Sequence, residues 1–334
     1  MKKITAFSLL LSFAPVLISF FSLTSWVTAD SATNHWNSEF VSNILISDNS
    51  PVTEISIKTL PLAVPKESIK PLEELGDQDL QDKLDEILRS NSRWVALSKN
   101  QQLSIGIVDM QDPLNARFAA INGNNMVYAA SLPKIAVLLA SEEALENGSM
   151  AETAVVKADM RMMIAKSSNQ AATRMIDRVG LKSIGQVMQD PKYNLYDKQN
   201  GGGLWVGKAY GRGNGRIGDP LKNLSHAASV TQVCKYYYML AFGQLVSPER
   251  SLDMLNMLVD PELHHKFVSV LDRVAPNAKV YRKSGTWATW HADSAMVWDK
   301  DRRYIVVALA EDASGETMLR ELMLKIDTAL VSKG

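Results

Sequence analysis

The order in which strand-like and helix-like stretches alternate restricts this chain more than any other feature. Residues 103–108 alternate in part between apolar and small or polar positions, and after the turn Gln111-Asp112-Pro113 a second such run, 116–121, completes a hairpin. The next β-like stretches come only at 279–282, 295–298 and 304–310, the last two joined by the turn Asp299-Lys300-Asp301. Helix signals fill the interval: 131–146, stopped by Asn147-Gly148, then 153–166, then 170–179 and 181–188, parted by Gly180. They continue over 230–245, from the Ser247-Pro248-Glu249 start onward, and over 261–274. A further helical stretch, 79–97, precedes the first strand, and another, 316–330, follows the last. Two early strands and three late ones predict an α+β fold of the α/β-sandwich type. In it, a five-stranded antiparallel sheet is assembled from both chain ends and flanked by helices, with an all-helical subdomain inserted in the middle. A cleft is expected where the subdomain meets the sheet.

With 334 residues, 46% of them hydrophobic, the chain fits one large domain or two small ones. Lys+Arg and Asp+Glu both count 36, a balance that gives no bulk attraction to nucleic acid. Met1-Lys2-Lys3 and the uncharged run 4–27 have the layout of a secretory signal, with Val27-Thr28-Ala29 as a cleavage site. Residues 1–29 are therefore expected to be a signal peptide or, left uncleaved, an N-terminal membrane anchor. The protein is expected to be exported, periplasmic or otherwise extracytoplasmic. Residues 30–75 read as a linker without sustained period, leaving 76–334 as the catalytic domain. Cys234 is the single cysteine, so no internal disulfide is available. Met160, Met162 and Met163 fit core filling. His264 and His265 are adjacent and on a helix diverge by about 100°, against a shared metal. No metal or organic cofactor is indicated, and a monomer is expected.

Within that frame one helix start carries chemistry. In Ser131-Leu132-Pro133-Lys134 the hydroxyl and the amine are three residues apart, close enough on one helix face for a hydrogen bond. The unpaired N–H groups of a helix start favour negative charge nearby. Taken alone, the pattern more often marks an N-cap serine followed by a snorkelling lysine. Two further motifs follow: Ser167-Ser168-Asn169 between predicted helices, and Lys283-Ser284-Gly285-Thr286 on a predicted strand. Alone, the first fits a helix cap and the second an exposed strand end. Together, in this order on helix, loop and strand, they resemble the three motifs of the serine β-lactamases and penicillin-binding proteins. The segments 163–180 and 245–258 are similar to the corresponding helices of class A β-lactamases, and the resemblance covers about residue 79 to the C-terminus.

The resemblance implies a role for each motif residue. Ser131 is the acylated nucleophile and Lys134 its general base or proton relay, which requires a partly neutral amine. Ser167 passes a proton to the leaving nitrogen, and Asn169 holds the substrate amide. Lys283 supplies positive field, and Ser284 and Thr286 bind a substrate carboxylate. The backbone N–H groups of Ser131 and Thr286 form an oxyanion hole, and Gly285 permits close approach of the backbone.

Three departures from the family pattern stand out. The second motif has Ser168 where Asp is usual, and its distance from Ser131 is short, implying a more open site. The loop 198–218 contains no Asp or Glu to activate a deacylating water; it is glycine-rich, with Lys208, Arg212 and Arg216. Asp197 and Asp219 flank it, and Asp219-Pro220 reads as a structural closure of the loop. Residues 287–299 offer no arginine for a carboxylate; His291 is the nearest substitute and reads as an exposed strand histidine. The implied function is an exported serine acyl hydrolase that forms an acyl-enzyme with a β-lactam or a D-alanyl peptide and releases it slowly. The alternatives are a D-Ala-D-Ala carboxypeptidase or endopeptidase acting on peptidoglycan peptides, and a module that binds β-lactams or wall peptides without turnover.

Overall fold

The computed structural model describes residues 64–211 and 215–331; the expected signal or anchor, and the linker up to residue 63, lie outside the described residues. Five strands, β1 (Leu103–Asp109), β2 (Arg117–Ile121), β3 (Lys279–Trp287), β4 (Trp290–Trp298) and β5 (Arg303–Glu311), form one antiparallel sheet in the order β2-β1-β5-β4-β3. The sheet joins both chain ends as the hydropathy pattern predicts. Its late strands are longer than their apolar runs, because β3 and β4 continue through polar motif residues into a tight hairpin at Trp287–Trp290.

Ten α-helices follow one another among the described residues. They are α1 (Gln78–Arg89), α2 (Ser92–Lys99), α3 (Lys134–Glu146), α4 (Ala154–Ala165), α5 (Asn169–Val179), α6 (Leu181–Gln189), α7 (Val230–Ala241), α8 (Pro248–Leu258), α9 (Phe267–Val274) and α10 (Gly315–Leu330). The single stretch read over 79–97 is two helices, because the Asn91 side chain caps the start of α2 at Arg93 and Trp94. Gly180, at φ +88°, turns the chain between α5 and α6 as its position suggests. Helix α9 begins later than residue 261, because Lys266 takes φ +52° and turns its side chain inward; His264 and His265 therefore precede it.

Two apolar cores sit on opposite faces of the sheet. One holds α1, α2, α9 and α10 against the sheet through Leu80, Trp94, Phe267 and Leu322. The other joins the sheet to α7 and the helical insertion through Val108, Leu138, Met163, Tyr237 and Met296. Helix α3 runs through the second core. Lys134 to Glu142 is buried without interruption, so over these residues the helix shows solvent no polar face.

The linker boundary at residue 75 is corrected toward the N-terminus. Leu72 and Leu75 are buried, Val64 and Ile69 pack against the core, and the Tyr238 hydroxyl donates to Lys70 O at 3.1 Å. Their apolar positions are too widely spaced for a periodic signal, since they lie in and around two short 3₁₀ turns, Lys66–Ser68 and Leu72–Glu74, rather than on a regular helix.

Candidate active site

Ser131 lies in a turn just ahead of α3 and is not its N-cap, which is Pro133. The turn is fixed from both sides: Ala129 N–H donates to His226 O at 2.9 Å, and Ala130 takes φ +50°. One helical turn on, Lys134 is fully buried, with Nζ 3.1 Å from Ser131 Oγ. The same nitrogen donates to Ser167 O at 2.6 Å and to Asn169 Oδ1 at 2.8 Å, and lies 3.3 Å from Ser167 Oγ. Burial lowers its pKa from the usual lysine value to about 7, so neutral and charged forms coexist near neutral pH.

Ser167 sits between α4 and α5 at φ +56°, a left-handed conformation that costs a serine about 1–3 kcal/mol. That backbone aims both its carbonyl and its hydroxyl at the lysines. Ser168 takes the capping role, its Oγ accepting from Ala171 N at 3.2 Å. Hence Ser168 supplies the cap while its neighbour Ser167 faces the two lysines. From the sheet side Lys283 Nζ donates to Ser167 Oγ at 2.8 Å and to Ser284 O at 2.8 Å. Burial, and then the charge of Lys134, push the Lys283 amine well below its ordinary value. An anionic substrate nearby would favour the charged forms of both lysines.

The third motif meets the Ser131 turn through Gly285. A Cβ at this position would lie 2.3 Å from Ala129 O and 2.8 Å from Ser131 N, so only glycine lets β3 abut the Ser131 turn. Residues alternate along a strand, which puts Lys283, Gly285 and Trp287 on the face toward that turn. Ser284 and Thr286 share the other face. Ser284 is buried opposite Asp293, whereas Thr286 is exposed at the strand end.

The geometry thus brings Ser131, Lys134, Ser167, Asn169 and Lys283 together, with Gly285 and Thr286 beside them. The model of the family described as "Beta-lactamase enzyme family" matches residues 151–333, more than half of the chain. The chain belongs to the β-lactamase enzyme family. Ser131 and Lys134 precede the matched residues and are joined to the other two motifs by the fold. No curated protein matches the sequence. Solved structures do. A β-lactamase from Sphaerobacter thermophilus is similar at 18% identity and TM-score 0.56, covering 71% of this chain and 94% of that one. PBP-A is similar at 17% identity and TM-score 0.56, covering 78% and 98%. A β-lactamase from Xanthomonas campestris pv. campestris is similar at 14% identity and TM-score 0.57, covering 72% and 97%. At these identities the likeness is one of fold.

Around this family core, side chains that no motif announces complete the site. Lys266 is fully buried, and its Nζ donates to Gly285 O at 2.6 Å, Thr286 Oγ1 at 2.7 Å and Ala292 O at 3.1 Å. It pins the end of β3 from behind, and burial lowers its pKa to about 8. Nothing in the sequence sets this lysine apart from surface ones. Tyr210 comes from the glycine-rich loop: its ring centroid is 4.5 Å from Lys134 Nζ and its hydroxyl donates to Ala130 O at 3.3 Å. His226 packs on Tyr210 at 4.3 Å, and burial lowers its pKa to about 4.

The two acids flanking the loop are occupied. Asp197 accepts from Gln199 N and Asn200 Nδ2. Asp219 accepts from the Tyr196 hydroxyl at 2.8 Å and from the amides of Leu221, Lys222 and Leu224. Burial would raise the Asp219 pKa, but these donors outweigh it and hold it below the usual carboxylate value. His291 is corrected from exposed to buried: it lies on β4 opposite Thr286, its ring packed against Gly315 at the start of α10.

Proposed function

We propose that this protein is a serine acyl hydrolase in which Ser131 is acylated by a β-lactam or a related D-alanyl peptide, and that the acyl-enzyme is released slowly. The observation that carries the reading is the unbroken run of short contacts Ser131 Oγ, Lys134 Nζ, Ser167 Oγ, Lys283 Nζ, at 3.1, 3.3 and 2.8 Å. Neutral Lys134 takes the Ser131 proton as Oγ attacks the carbonyl carbon. The developing oxyanion is held by the N–H groups of Ser131 and Thr286, each such donor being worth about 3–4 kcal/mol in a transition state. As the carbon–nitrogen bond breaks, Ser167 gives its proton to the leaving nitrogen and recovers one from Lys134. Lys283, donating to Ser167 Oγ, leaves the hydroxyl proton free to point at the substrate. Asn169 orients the substrate amide, and Thr286, accepting from Lys266, is polarised to donate to a substrate carboxylate.

Slow release rests on the loop. The group against Lys134 is Tyr210, whose pKa burial raises well above its ordinary value, so it is a neutral ring and no base. The same feature favours a second reading, a D-alanyl peptidase acting on exported peptidoglycan peptides. The variant of PBP-A described as an acyl-enzyme complex with penicillin G has this fold at 18% identity. The test is to incubate the protein with a fluorescent penicillin and with nitrocefin, alongside Ser131→Ala. The expected result is covalent label on the wild type alone, persisting with little nitrocefin turnover. Absence of both label and hydrolysis removes the β-lactam reading, and prompt turnover removes slow release.

A further inference from the structure

A polar cleft of about 640 Å³ opens beside the turn that joins β2 to the short strand Val127–Tyr128. Four amide side chains line it, those of Gln101, Asn122, Asn124 and Asn125, together with the ammonium groups of Lys198 and Lys222. Its frame is fixed by part of this set. Asn122 Nδ2 donates to Ser98 O at 2.7 Å and to Leu103 O at 2.8 Å, and Asn125 Nδ2 donates to Gln101 O at 2.9 Å. Gly201, at φ +82°, brings its loop against the turn, where a Cβ would stand 2.2 Å from Asn124 O. Gln101 and Asn122 lie at φ +58° and +51°, a conformation that asparagine tolerates and glutamine adopts at a cost. Backbone held in this way gathers at ligand clamps as well as at catalytic centres.

The remaining groups of the cleft are open to a ligand. Gln101, Asn124 and Lys198 are exposed, and Asp197, next to Lys198 in the chain, is occupied by Gln199 N and Asn200 Nδ2. Lys222 donates to neutral oxygens, Met126 O at 2.7 Å and Asn125 Oδ1 at 3.3 Å, which leave its charge uncompensated. Leu221 adds an apolar patch to the lining and is 45% exposed.

We propose that this cleft binds an acidic glycan. Amide side chains donate and accept together, as the hydroxyl and acetamido groups of a sugar do. The two ammonium groups match carboxylates carried on the sugar rings, and Leu221 offers contact to the C–H face of a ring. A bare phosphate or sulfate would use the lysines and leave the amides and Leu221 idle. No lining residue belongs to the Ser131 site, so the proposal does not rest on the acyl-transfer reading. Asn125 and Ser131 are six residues apart, at most about 22 Å of chain, so a glycan held here lies near that site without entering it.

The test follows the fluorescence anisotropy of end-labelled strands of alternating N-acetylglucosamine and N-acetylmuramic acid, added to the full-length protein. The strands are freed of peptide, so each muramic acid has a free carboxylate and none carries an acyl donor; the outcome is independent of whether Ser131 reacts. Saturable binding is expected, at least about tenfold tighter than that of neutral chitohexaose. Lys198→Glu should weaken it about tenfold by reversing a rim charge, and Asn124→Ala should weaken binding of both glycans, with the melting temperature unchanged in each variant. Absence of saturable binding, or binding that both substitutions leave unchanged, overturns the proposal. Equal binding of poly-L-glutamate would show charge alone at work and overturn the glycan as the ligand.

Discussion

Lys134 and Lys283 direct their amines at one oxygen, Ser167 Oγ, from 3.3 and 2.8 Å. They reach it from different layers of the fold, a buried helix and an edge strand. The hydroxyl between them is held by a serine in a left-handed conformation, which a glycine would adopt without strain. Ser167→Gly should therefore keep or slightly raise the melting temperature while slowing acylation about 10²-fold. Thermal unfolding and fluorescent-penicillin labelling, run on the same preparation, separate the two effects.

The lowered pKa of Lys134 sets a pH dependence. Below about 7 the amine is protonated and cannot accept the Ser131 proton, so the acylation rate should rise about tenfold per pH unit up to that value and then level off. Lys134→Arg should abolish acylation at every pH, because a guanidinium does not deprotonate in this range. Stopped-time labelling between pH 5.5 and 8 reads both outcomes; a flat profile would remove Lys134 as the base.

Gly285→Ala tests the close approach of β3 to the Ser131 turn. Its methyl group would press on Ala129 O and Ser131 N, both backbone atoms with no room to give. Overpacking of this kind costs about 1–3 kcal/mol, and the acylation rate should fall more than stability does, since the displaced atoms hold Ser131. Chemical denaturation and labelling rates measure the two.

Lys266→Met keeps the apolar stem and removes the ammonium that holds Gly285 O, Thr286 Oγ1 and Ala292 O. Losing these hydrogen bonds, each worth about 0.5–1.5 kcal/mol to stability, should lower the unfolding midpoint. Acylation by donors that carry a carboxylate should slow at least tenfold, because Thr286 loses the partner that polarises it. An equal slowing with a carboxylate-free ester donor would reduce Lys266 to a purely structural clamp.

Asp219→Asn tests whether the loop hides a deacylating base. Four donors already occupy this carboxylate, so the substitution should lower stability by about 1–3 kcal/mol and leave the lifetime of the acyl-enzyme unchanged. Because the folded-state pKa is depressed, the stability Asp219 supplies is present above its ordinary pKa and lost as pH falls through the lowered one. A lengthened acyl-enzyme lifetime would identify Asp219 as the missing base.

The sequence by itself determined that two early and three late strands build the main sheet, and it set the three motifs at a helix start, on a loop and on a strand; it read the insertion as all-helical, whereas short strands such as Trp205–Val206 and His226–Ala228 pair within it. Those are local properties: hydrophobic period, capping residues and turn residues act over a few positions and are written where they act. It also placed Asp219 as a structural acid; at Gly285 the resemblance implied close approach to substrate, whereas the close approach found there is to the Ser131 turn. Only the tertiary structure decided that Lys266 lies beneath Thr286, that Tyr210 and not a carboxylate covers Lys134, that His291 is buried against Gly315, and that residues 64–75 belong to the domain. Each of these depends on a partner far away in the chain. A lysine, tyrosine or histidine carries no mark of its burial until the segment that covers it has folded on top of it.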